Sequence, residues 1–111
     1  MSFFQSDVIR AEMAEISELQ EEIYTNVFKF PTMNKEDQRY LIEVLERLLE
    51  KQRIMYTRLS LSDDPAAKRM KEEITQSASM MGLPANMDMN ILFSQMDKMV
   101  GAMREQLDID D

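Results

Sequence analysis

Histidine and cysteine are both missing from this chain, and only two glycines occur in its 111 residues. Without His or Cys there is no imidazole base, no thiolate nucleophile and no soft metal-ligand set. A chain this poor in Gly and free of those groups rarely does chemistry. The absence of Cys fits a reducing cytosol. No run of about 18 apolar residues occurs, so nothing reads as a transmembrane helix. The stretch 1–7 lacks the basic segment and apolar core of a secretory signal, and the reading is cytoplasmic. Basic residues are scarce as well: 13 Lys and Arg stand against 21 Asp and Glu, a formal net charge of -8. Contact with a nucleic-acid backbone needs basic footprints, so direct nucleic-acid binding is disfavoured. An acidic surface suits solubility, a basic partner, or mimicry of nucleic acid.

What is abundant is methionine, 12 residues, within a chain that is 44% hydrophobic and 31% charged. This balance is that of a folded domain, not of a disordered one. A chain of this size buries roughly two thirds of the surface its unfolded form exposes, enough for a modest core but not for a deep enclosed active site too.

The hydrophobic spacing predicts four helices and no strands. The first starts at Ser2, in a capping-box pattern, or at Ser6-Asp7, and runs to Phe28. Its stripe is Ile9, Met13, Ile16, Ile23 and Val27, and Phe30-Pro31 ends it. Asn34 caps the second helix, with Glu36 and Asp37 in its first turn, and the helix runs to about Leu59. Its seam of Leu41, Leu45, Leu48, Gln52, Met55 and Leu59 is widened by Ile42, Val44, Leu49 and Tyr56. That breadth predicts a central helix touching at least two others. Asp64-Pro65 opens a third helix with Ala67, Met70, Ile74 and Met81 inward, closed by Gly82 and Leu83-Pro84. Asn86 or Asp88 caps the fourth, with Met89, Leu92, Phe93, Met96, Met99, Val100, Met103 and Leu107 on one face. Residues 1–107 read as one helical domain and 108–111 as an acidic, frayed tail.

The first two helices, joined by a short loop, should form a long antiparallel hairpin. The shorter second pair cannot cover all of it, so a homodimer is expected. Gln20 and Gln52 sit near the middle of the apolar stripes but out of register with each other within one hairpin. A central amide can set register and oligomeric state, so Gln20, Gln52, Met96, Met99 and Met103 are read as the oligomer interface. The bland alternative is an amide bent to the seam's edge.

Seven of the methionines fall between Met80 and Met103. Flexible, polarizable side chains suit irregular partners, though at helical spacing they also fill cores. Met80, Met87 and Met89, beside the Gly82–Pro84 loop, fit core least easily and are read as partner-binding. Phe3-Phe4 is either a docking anchor or a staple onto the first helix. Glu12, Glu15, Glu18, Glu21 and Glu22 crowd the first helix. Arg47, Lys51, Arg53 and Arg58 could neutralise them across the hairpin; otherwise Glu15, Glu18 and Glu22 form a ridge for a basic partner. Lys68, Arg69 and Lys71 make a small basic corner, partly cancelled by Asp63 and Asp64.

No catalytic, cofactor or metal residues are expected. Di-iron bundles need Glu-x-x-His, and there is no His. All-helical nucleotide pyrophosphohydrolases use Glu-Glu-x-x-Glu with Glu-x-x-Asp. Here Glu21-Glu22 meets Thr25 where Glu is required, and Glu105 to Asp108 fits only the second pattern.

Three stretches carry a family resemblance: Phe3-Phe4 through Leu19-Gln20-Glu21-Glu22-Ile23-Tyr24, Leu49-Glu50-Lys51-Gln52-Arg53, and above all Leu59-Ser60-Leu61-Ser62-Asp63-Asp64-Pro65. Here the chain resembles a small cyanobacterial family, domain of unknown function 1825, with relatives in cyanophages. The resemblance covers nearly the whole chain. It implies a cyanobacterial or phage source and a soluble all-helical protein, and brings no ligand or catalytic residues. The expected function is a non-catalytic cytoplasmic protein–protein adaptor or regulator. The alternatives are an acidic nucleic-acid mimic that inhibits a basic protein and an Mg-dependent nucleotide pyrophosphohydrolase.

Overall fold

The computed structural model describes residues 3–80, 82 and 88–110. A short 3-10 helix, Phe3–Gln5, leads into α1, Asp7–Asn26. A second 3-10 segment, Val27–Thr32, connects it to α2, Lys35–Leu61, which is followed by α3, Pro65–Met80, and α4, Met89–Asp110. The architecture is an all-α bundle, with no strand among the described residues.

Side-chain caps start the helices. Ser6 Oγ accepts from the Ile9 N–H at 3.5 Å, Asn34 Oδ1 from Asp37 at 2.8 Å, Asp64 Oδ1 from Ala66 at 2.9 Å and Asp88 Oδ1 from Asn90 at 2.9 Å. Each supplies an acceptor to a first-turn donor that has no partner inside its helix. The alternative starts at Ser2 and Asn86 lie outside the described residues, as do Met81 and Leu83-Pro84. Gly82 has φ +95°, the left-handed conformation that a helix end favours and only Gly adopts at no steric cost.

The end of α1 differs from the sequence expectation. α-Helical bonding stops at Asn26, and the chain continues as 3-10 turns that contain Pro31. Proline removes one N–H donor, and the tighter 3-10 repeat re-pairs what remains. The Phe30 carbonyl receives the Met33 N–H at 3.2 Å and the Gln38 amide at 2.7 Å. As a result α1, at 20 residues, is shorter than α4, at 22. α4 also takes in Asp108, Ile109 and Asp110, where a frayed end is expected, and Arg39 reaches Asp108 at 3.2 Å.

α2 is the centre, as its broad apolar arc predicts. Cross-helix pairs set the register. On one side Lys51 meets Glu15 and Glu12, and Tyr40 meets Glu22. On the other, Arg39 meets Asp108, Glu46 meets Arg104 and Arg53 meets Asp97. Rising numbers on α2 pair with falling ones on both neighbours, so α1 and α4 each run antiparallel to α2. No extended contact joins α1 to α4 among the described residues.

Three apolar clusters hold this frame. Leu19, Val44 and Leu48, with Ile16 and Ile23, close the α1–α2 seam. Ile42, Leu49, Val100 and Leu107, with Met96 and Met103, close α2–α4. Ile9, Met55, Leu59 and Ala67, with Met70 and Ile74, fasten α3 at the far end of α2. Leu19 fills the α1 stripe where the sequence reading set Gln20. Ile16, Leu19 and Ile23 keep the three-and-four spacing, which leaves Gln20 half-buried at the seam's edge.

Candidate interaction surfaces

The two ends of the molecule treat aromatic residues oppositely. At the α2–α3 corner, Phe3 and Phe4 pack half-buried on the Ile9–Leu59 cluster, their rings edge-on at 5.0 Å. The Phe3 N–H donates to the second carboxylate oxygen of Asp64, and Arg10 Nε donates to the Phe4 carbonyl at 3.1 Å. This pair therefore staples the start of the chain down instead of standing free. The two N–H donors, Phe3 first and then Ala66, hold the Asp64 carboxyl below its ordinary value, because a bonded carboxylate is favoured in its charged form.

At the α1–α2 turn Phe30 packs half-buried on the α2–α4 cluster, but two other aromatics face water. Phe28 is 91% exposed, Tyr24 one turn earlier 68%, and Val27 is exposed between them. Sequence reasoning missed Tyr24 and Phe28, and it placed Val27 on the apolar stripe of α1, where the structure leaves it exposed because α-helical bonding stops at Asn26. The signal was available: Tyr24 and Phe28 are four apart and off the apolar stripe.

The methionines divide. Met80 is 89% exposed, at the end of α3. Met89, expected at the partner surface, is buried, because Asp88 caps α4 one residue before it and turns it onto the face that carries Phe93. Met87 lies outside the described residues. Met96 and Met103 are half-buried against the α2–α4 cluster. Met99 is 66% exposed, about 100° around α4 from Val100.

The glutamates divide as well. Lys51 Nζ lies 2.9 Å from Glu15 and 3.9 Å from Glu12, so the internal neutralisation across the hairpin forms there. The Glu15 hydrogen bond raises the lysine's pKa. Glu22 accepts the Tyr40 hydroxyl at 2.7 Å, which pushes the phenol's pKa up. Glu18 is exposed. Arg53, expected to face α1, instead pairs with Asp97 on α4 at 3.7 Å. Among the described residues no three acidic side chains converge as metal ligands would. At the basic corner, Lys68 and Lys71 line an open groove with Ser60, Ser62, Asp63 and Glu72, without Arg69. Lys71 also lies 6.0 Å over the Tyr56 ring.

One face remains. At about 100° per residue, Val44, Leu48 and Met55 point to α1 and Ile42, Leu49 and Tyr56 to α4, with Leu45 and Gln52 between the two rows. The Lys51, Arg53 and Glu46 pairs lie on the opposite edges of these seams. The same turn angle brings Gln20 of α1 and Met96, Met99 and Met103 of α4 to the concave side. All five residues expected at an oligomer interface thus share one face.

These features define an all-α helical protein in which two antiparallel neighbours flank one central helix. The chain belongs to a family known by its sequence pattern: the model described as "Domain of unknown function (DUF1825)" matches residues 1–107. No curated protein and no solved structure matches the chain. Among the described residues no helix is long and apolar enough to cross a membrane.

Proposed function

We propose that this protein is a non-catalytic cytoplasmic adaptor or regulator that works by gripping another protein. The observation that carries the reading is the Tyr24–Val27–Phe28 group at the α1–α2 turn, with Phe28 91% exposed. Single exposed apolar residues are ordinary. Two aromatics and a valine on adjoining turns are the kind of anchor that dominates protein interfaces. Glu21 lies beside them in a chain of net charge -8, which favours a partner with a basic or neutral rim around an apolar pocket.

The test is affinity capture on the tagged chain from a cyanobacterial lysate, the source the sequence resemblance implies. One protein should be retained through ~0.5 M salt, since apolar anchoring is not screened. It should be lost with Phe28→Ala and Tyr24→Ala while helicity by circular dichroism is unchanged. Binding that ignores both substitutions and collapses with salt belongs to the acidic-mimic reading instead. Pyrophosphate release from nucleotides with Mg²⁺, abolished by Glu22→Gln, would replace the adaptor reading with a hydrolase.

A further inference from the structure

We infer that the concave side of the α1–α2–α4 layer binds a second copy of this chain, giving a two-fold homodimer. The inference does not rest on the partner proposed for the α1–α2 turn, although Gln20 and Tyr24 line one groove.

The first ground is area. The chain exposes 7830 Å², whereas a compact monomer of its 13.1 kDa exposes about 6,400 Å². The surplus exceeds the roughly 800 Å² that each partner gives up in a standard stable interface. The surplus arises from shape. The molecule measures 49 × 32 × 19 Å, with a radius of gyration of 15.9 Å, against about 13 Å for a compact chain of this length. Helical domains are built from two packed layers. Among the described residues, α3 covers the Met55–Leu59 end, through Ala67, Met70 and Ile74.

The second ground is charge. A copy approaching this chain carries the same net -8, so contact through charged surface is repelled. The concave side carries Gln20, Gln52 and Met99, with Leu45, Met96 and Met103 half-buried against the α2–α4 cluster, none of them charged. Cross-helix ion pairs are placed on the opposite edges. A glutamine side chain is also its own complement, since it has both donor and acceptor. Across a two-fold axis it can meet its own copy or the other Gln, which a carboxylate cannot do.

Size-exclusion chromatography with multi-angle light scattering tests this on the full chain. The wild type should show twice the 13.1 kDa of one chain at micromolar concentration. Its dissociation constant should fall as salt is added, because screening removes only repulsion. Met99→Glu should give a single-chain mass with unchanged helicity, since Met99 is 66% exposed within one copy. Ile54→Glu, on an exposed position about 160° around α2 from Gln52, should remain dimeric. A wild type of single-chain mass overturns the inference and leaves the face to a different protein. A dimer that survives Met99→Glu, one broken by Ile54→Glu alone, or one weakened by salt overturns it too.

Discussion

Asp64 does three jobs with one carboxylate. It caps α3, it ties down the 3-10 turn that carries Phe3 and Phe4, and it thereby seals the Ile9–Leu59–Ala67 cluster. Its donors favour the ionised form, so its folded pKa lies below the ordinary 3.8. A carboxyl depressed in the folded state adds stability that is complete above its unfolded pKa. That stability is lost as pH falls through the folded value. Asp64→Asn keeps an amide oxygen for the cap but loses the charge. Melting temperatures followed from pH 7 into the acid range should therefore show a gap between wild type and variant at neutral pH that closes below 3.8. A gap constant with pH would remove Asp64 as the titrating group. The residue's capping role was legible from Asp64-Pro65 alone. Its bond to Phe3, 61 positions away, was not, because such a contact depends on where α1 starts against the end of α2.

The two glycines show how much a helix end and a helix middle differ. Gly82 holds φ +95° just past α3, while Gly101 sits within α4, with open space around the position a Cβ would take. Gly82→Ala should destabilise by about 1 kcal/mol, the strain of a side chain in the left-handed region. Gly101→Ala should stabilise by about 0.5–1 kcal/mol through helix propensity. Urea titration of both variants measures the pair, and equal signs would contradict the two conformations. Element starts were readable at Ser6, Asn34, Asp64 and Asp88 because capping chemistry is local. The end of α1 was not, because Pro31 can be absorbed in 3-10 turns once Gln38 satisfies the Phe30 carbonyl. The α1 stripe was readable in spacing but misassigned at two steps: Val27 falls in the 3-10 segment and is exposed, and between the neighbours Leu19 and Gln20 only packing against Val44 and Leu48 decides.

At the scale of the molecule, the broad arc of α2 foretold a central helix, and the hairpin followed from a short connection. The surfaces were harder to read. Periodicity says which residues share a face but not which face is covered, so Met89 and Met99 looked alike though one is buried and the other exposed. Phe28 lies off the stripe, so only its four-residue spacing from Tyr24 announces it. The central position of α2 bears on motion as well. α1 and α4 each lean on α2 and have no extended contact with one another, so they are two leaves on one spine. Each is expected to open and reclose while the other stays shut, as separate cooperative units. Hydrogen exchange read by mass spectrometry should find the α2 amides slowest, with α1 and α4 exchanging at different rates. Val100→Ala should quicken α4 and leave the Leu19 region of α1 untouched. A spine with independent leaves lets one edge of this protein loosen while the seam at the other stays closed.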